Sequence, residues 1–269
     1  MRGLLPTAVV HDSPSKSSPS RSISPSQRRF KSNQIGSSSS ASSLRSPVRS
    51  RSGIDKLKRL LSKVVTPSRW PTMDFELAAW QTTYLIIAPR KVYRNVYYHK
   101  QTKNTWARDD PAILIILLAM MATAAFLWSS LYLRSWSPIT WLALASQIIL
   151  RDFLLTGIFI SILLWVVSNR FLSHSSHTHA TDQRVEWQYA FDVHVNSFFP
   201  FFLNLYVFQL FLAPVITWDN WVCLWIGNSI YLIASIQYIY VTYLGYNALP
   251  FLIRTEVLLF PAVILLGLL

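Results

Sequence analysis

With 269 residues, 52% of them apolar and only 14% charged, the chain falls well short of the roughly one-quarter charged content of ordinary soluble domains. Its net charge of +13 is lopsided: residues 1–111 carry 20 Lys and Arg against 6 Asp and Glu, and residues 112–269 carry 5 against 6. A basic, polar front joined to a near-neutral, oily remainder, with one cysteine (Cys223) in an apolar run, excludes a disulfide scaffold and points to a tail plus a membrane domain.

Residues 1–53 are rich in Ser, Pro and Arg and poor in aliphatic side chains, too little apolar surface to offset chain entropy, so a disordered cytosolic tail is expected. The opening MRGLLPTAVVHDS has too short an apolar core for a secretory signal, and Pro6 interrupts it. Ser13, Ser18, Ser24 and Ser46 each precede a proline and are candidates for proline-directed phosphorylation.

Residues 54–111 form a basic, interfacial region. In IDKLKRLLSKVV, Ile54, Leu57, Leu60, Leu61 and Val64 recur at helical spacing with lysines and arginine between them, the pattern of a short amphipathic helix. A second helix is expected in WPTMDFELAAWQTTYLIIAP, opened by Pro71 and Thr72 and stopped by Pro89. It is too short to span a bilayer, so it is expected to lie on the surface. RKVYRNVYYHKQTK then interleaves cations with tyrosines.

Beyond Pro111 the apolar segments 112–133, 139–167, 191–212, 221–244 and 248–269 define an all-α membrane protein of about five transmembrane helices. The second carries Arg151 and Asp152 at its middle; one long helix fits better than a hairpin, whose first arm would be too short to cross. The basic front places the N-terminus in the cytosol and, with five crossings, the C-terminus in the lumen. Asp110 is positioned to cap the first span and Pro111 to enter its first turn, while the preceding cations meet an anionic cytosolic leaflet.

Several constellations are candidates for chemistry. His174, His177 and His179 lie close together, but a closed metal site needs a fourth ligand and the only cysteine is in an apolar span, so a polar loop is the better account. Arg151 and Asp152 point about 100° apart on an ideal helix, so each is expected to seek a partner elsewhere: Glu256 or Asp192 for Arg151, and Arg254 for Asp152. Asp192, His194 and Asn196 alternate beside the third span, residues that a proton or ion path can use, but no inverted repeat is visible and an odd number of spans disfavours a symmetric transporter. No nucleophile, metalloprotease or phosphate-loop motif is present, so neither an enzyme nor a cofactor is expected. The basic, aromatic stretch 90–108 has the residues to bind RNA through phosphate contacts and stacking, but a membrane surface explains it more economically.

MDFELAAWQ (73–81), YRNVYYHKQTKNTWARDDPA (93–112), VEWQYAFDVHVNSFFP (185–200) and YIYVTYLGYNALPFL (238–252) together resemble the Unc-fifty family of Golgi membrane proteins. The resemblance implies a multi-pass Golgi protein linked to Arf guanine-nucleotide exchange factors and to surface delivery of membrane-protein cargo, with RNA binding attributed to some members. On that reading Trp106, Arg108, Asp109 and Asp110, with Asp192, His194 and Asn196, are the candidate cytosolic docking residues.

Overall fold

Pro89 makes the first corner of the fold. The residue before a proline is driven out of helical geometry, while the proline itself suits a first helical turn, where no N–H is needed. The computed structural model describes residues 58, 62–64, 66, 73–103, 106–108, 110–173 and 184–267, all within one compact unit, Ser50–Leu269. Helix α1, Phe75–Ile87, ends at Ala88, and α2, Pro89–Lys103, begins at once. The Ala88 N–H closes the last turn by donating to the Tyr84 carbonyl at 2.9 Å, and the Lys91 ammonium sits 5.0 Å from the centre of the Tyr84 ring, a cation–π contact across the corner. The serine-proline sites of the tail, Pro71, Thr72, Asp109, the three clustered histidines and most of the 54–64 segment lie outside the described residues.

Among the described residues four helices are long and apolar enough to cross a membrane: α3, Ala112–Leu131; α4, Pro138–Leu172; α5, Trp187–Ile216; and α6, Trp221–Asn247. They bear out an all-α membrane protein. Helix α4 runs unbroken through Arg151 and Asp152, as one long helix rather than a hairpin. Its turns widen to the i→i+5 pattern over Gln147–Leu155 and Ser168–Leu172, and α5 widens likewise over Leu203–Phe208.

The last apolar segment differs from expectation. Residues 248–254 turn instead of continuing a helix, with Arg254 at a left-handed φ of 56° and the Ile253 N–H donating to the Leu172 carbonyl at 2.9 Å. Helix α7, Thr255–Gly267, therefore covers about 20 Å, short of the roughly 30 Å hydrocarbon core. Composition alone had suggested a spanning helix there; the turn at Arg254 takes away its first residues.

Polar groups inside a bilayer must find partners within the protein, and here aromatic donors supply several. Trp141 Nε1 donates to the Ala122 carbonyl at 3.0 Å, Trp128 Nε1 to Tyr206 at 2.9 Å, and the Tyr132 hydroxyl to Leu210 at 2.8 Å, tying α3 to α4 and α5. Asn204 Nδ2 donates to the Pro200 carbonyl and, at 2.8 Å, to Gln237 Oε1 on α6.

Helix α5 is the centre of the bundle. Eleven of the sixteen residues Trp187–Phe202 are buried, around the whole circumference, as expected of a helix surrounded by others. It packs on α1, α4 and α6. The closest approaches are at two glycines. A Cβ on Gly157 of α4 would fall 2.3 Å from His194 Nε2, and one on Gly245 of α6 would fall 2.7 and 2.8 Å from the two methyls of Val193. Val193 is stiff at χ1 and buried, so it has little room to yield. Gly245→Ala is expected to destabilise the detergent-solubilised protein by about 1–3 kcal/mol, the range of overpacked cores. Gly267→Ala, where a Cβ meets nothing within 4 Å, is the control and should not lower stability; equal losses in thermal unfolding for both would contradict the close-packing account.

Candidate functional site

Arg108 enters the bundle just ahead of α3 and is gripped on three sides. Its Nε donates to both oxygens of Asp192 at 2.9 Å, Nη1 donates to Gln81 Oε1 at 2.9 Å, and Nη2 donates to Asn196 Oδ1. Gln81 belongs to α1; Asp192 and Asn196 stand one turn apart on α5, on the same face. The planar guanidinium, with five donors in a fixed fork, is the only side chain able to serve three acceptors arranged in this way. The ion pair is largely enclosed, with 15% and 18% of the two side chains exposed.

Around this latch the packing is tight. Trp106 is buried, edge-on to Tyr189 and Phe251 at 6.3 and 6.0 Å, and the Tyr189 hydroxyl donates to the Gly245 carbonyl at 2.6 Å. Tyr93 of α2 is also enclosed; burial pushes its hydroxyl pKa well above the usual tyrosine range, outweighing the opposing pull of Asn196 and Arg108, so it stays neutral. Asp110 does not cap α3. Pro111 precedes that helix with no side-chain cap, and its carbonyl accepts from the Ile115 N–H at 3.1 Å. Asp110 Oδ2 instead accepts from the Asp74 N–H at 2.9 Å, placing a carboxylate at the start of α1, where the helix dipole favours it. Thus WARDDP clips α1 to α5. Trp106, His194 and Asn196 lie inside the bundle, away from any docking partner at the surface; Asp109 lies outside the described residues.

Alternation in sequence becomes separation on a helix. His194, two residues from each of Asp192 and Asn196, points to the opposite side of α5, where the Phe153 carbonyl lies 3.2 Å from Nε2 and the Tyr238 hydroxyl 2.8 Å from Nδ1. A carbonyl can only accept, so in the neutral ring Nε2 carries the proton and Nδ1 accepts from Tyr238.

On that side α3, α4, α5 and α6 enclose a partly open cavity of about 770 Å³. Its lining includes Arg151 and Asp152, which pair with one another rather than with distant partners: Arg151 Nε donates to Asp152 Oδ1 at 2.7 Å and Nη2 to Oδ2 at 3.3 Å. The widened turns change the angular spacing of neighbours, and the long arginine arm bends back to reach Asp152. The Tyr206 hydroxyl completes the group by donating to Asp152 Oδ2 at 2.7 Å. Asp192 is taken by Arg108, and Arg254 and Glu256 are exposed with no ion pair among the described residues. Gln81, Tyr206 and Tyr238 escaped the sequence reading; a polar side chain on an otherwise apolar helix was their only signal. Among the described residues no group of three or more His, Cys, Asp and Glu is placed to hold a metal.

These features define a polytopic helical membrane protein with a polar latch at one end of its bundle and a mixed polar and apolar cavity within it. The sequence profile of the UNC-50 family matches residues 61–269, and the chain belongs to that family. It is 44% identical over 199 residues to "Protein unc-50 homolog" of Dictyostelium discoideum, covering 74% of this chain and 76% of the relative. It is 41% identical over 198 residues to "Protein unc-50 homolog" of Homo sapiens (72% and 73%), and 41% identical over 191 residues to "Protein GMH1 homolog" of Schizosaccharomyces pombe (70% and 80%). No solved structure matches the chain.

Removing one partner of a buried ion pair leaves the other uncompensated, a loss of about 3–5 kcal/mol. Arg108→Ala and Asp192→Ala are each expected to destabilise the protein by several kcal/mol, and the double variant by much less than their sum. Arg108→Lys keeps the charge but loses the fork, so it should fall between Arg108→Ala and the unsubstituted protein. Additive losses in detergent unfolding would mean that the two side chains do not act together.

Proposed function

We propose that this protein is a Golgi membrane adaptor that recruits an Arf guanine-nucleotide exchange factor and thereby supports vesicle traffic and surface delivery of selected membrane proteins. Membership of the UNC-50 family is the observation that carries this reading. On it, the end bearing α1, α2 and the latch faces the cytosol, in keeping with the excess of cations before Pro111. The adaptor acts without catalysis, by presenting a surface held at a fixed angle.

That surface is the outward side of α2. Arg94, Asn95 and Tyr98 are exposed there, while Val92 and Tyr93 are buried against the bundle and the Arg90 Nε donates to the Tyr240 hydroxyl of α6 at 2.9 Å. The helix is therefore fastened on one side and accessible on the other. Trp106, Arg108, Asp110, Asp192 and Asn196 act from behind it by setting its position.

The test is affinity capture from gently solubilised Golgi membranes with the full chain and with an Arg94→Glu/Tyr98→Ala variant. An exchange factor recovered with the full chain, and reduced at least about tenfold with an equally stable and equally Golgi-resident variant, is the expected outcome; tenfold corresponds to about 1.4 kcal/mol of binding. Recovery of no exchange factor with either protein would remove the basis for the adaptor reading. Recovery of RNA through the same residues, with a steep salt dependence, would favour a nucleic-acid partner instead.

A further inference from the structure

Among the described residues none of α2 lines the intramembrane cavity, and the composition of its lining is specific. Trp128, Leu144, Ile148, Ile160, Phe198 and Leu205 contribute an apolar wall. Against it stand two polar groups, the charged cluster of Arg151, Asp152 and Tyr206 and the pair His194 and Tyr238, with Tyr132, Thr156, Gln209 and Tyr231 also on the lining. The volume of about 770 Å³ lies within the roughly 300–1,000 Å³ of ligand pockets. Two segments of widened helix, Gln147–Leu155 on α4 and Leu203–Phe208 on α5, supply the charged cluster and are joined by the bond from Tyr206 to Asp152. Such turns are rare and concentrate at functional sites.

We propose that this cavity binds a neutral, hydroxyl-bearing membrane lipid, with its hydrocarbon body along the apolar wall and its hydroxyl at the Asp152–Tyr206 pair. Charge is the first reason. Asp152 already neutralises Arg151, so a carboxylate or phosphate brought to the same wall would leave one negative charge uncompensated in a low-dielectric setting. An uncharged head avoids that cost.

Hydrogen-bond capacity is the second reason. A carboxylate offers about four acceptor positions. Asp152 uses three of them, for Arg151 Nε, Arg151 Nη2 and the Tyr206 hydroxyl. One acceptor position is left for a donor from a ligand, and the Tyr206 oxygen can itself accept. A lipid hydroxyl, donor and acceptor at once, matches both. Sterols and diacylglycerols share this chemistry. An ordinary phosphatidylcholine brings acyl chains but no hydroxyl.

The full chain, purified and reconstituted in phosphatidylcholine nanodiscs, is to be labelled with a photoreactive sterol, a photoreactive diacylglycerol and, separately, a photoreactive phosphatidylcholine, and the crosslinks mapped by mass spectrometry. Crosslinks of a hydroxyl lipid on residues 144–160 and 198–209, displaced at least about fivefold by the same unlabelled lipid, are expected. Whichever unlabelled lipid competes identifies the source. Thr156 is exposed on the cavity lining, so Thr156→Phe should fill the space and lower labelling about fivefold or more with little change in thermal stability. Tyr206→Phe should weaken labelling while the cavity remains open. Equal labelling by phosphatidylcholine without competition by either hydroxyl lipid would overturn the proposal, as would better competition by a fatty acid or phosphatidate. So would labelling that persists unchanged in a folded Thr156→Phe protein.

Discussion

One guanidinium determines how the outer helices meet the membrane bundle. Arg108 reaches α1 through Gln81 and α5 through Asp192 and Asn196, and it lies two residues before Asp110, which fastens the start of α1. Without this contact, α1 would be joined to the bundle mainly by apolar packing, which is non-directional and tolerates sliding, while α2 would keep its own bond from Arg90 to Tyr240. Directional bonds from a planar fork specify a position as well as an association. The adaptor role proposed above requires that position to be held.

The latch and the cavity share one turn of α5. Asp192 and Asn196 face the latch, His194 faces α4 and the cavity, and Val193 meets Gly245 of α6. Because α5 is packed on all sides, a shift that accommodates a ligand near Tyr238 or His194 must be borne by the same backbone that carries Asp192. The two glycines narrow this further, since close backbone approach leaves no slack side chains to absorb motion. One helix thus carries both the latch residues and part of the cavity wall.

In this member of the UNC-50 family the polar side chains fall into two places. The end bearing α1 and α2 offers exposed polar and basic side chains, and the interior retains polar groups that neither end displays. Membrane interiors retain charged side chains only where a partner or a cavity offsets their cost. The Arg151–Asp152 pair satisfies itself electrostatically and still keeps an acceptor position open. That makes it better suited to recognising a neutral lipid than to moving an ion.

The amino-acid pattern by itself determined the class: runs of apolar residues long enough to cross a bilayer, a basic front before them, and Pro89 as a corner all act through local chemistry and need no knowledge of neighbours. It also marked WARDDP, FDVHVN and Arg151-Asp152 as unusual, because polar groups beside or within apolar runs are costly wherever they end up. What they do there was decided by the tertiary structure. Asp110 lies where it could cap the following helix, yet it binds an N–H 36 residues earlier. Alternating Asp192, His194 and Asn196 read as one group in sequence and divide between two sites once wound into a helix. Arg151 and Asp152 point about 100° apart on an ideal helix yet pair on widened turns, and the last apolar segment loses its first turns to the left-handed Arg254. Each of these outcomes rests on contacts between residues far apart in the chain, or on backbone geometry imposed by packing. Local periodicity carries no information about either.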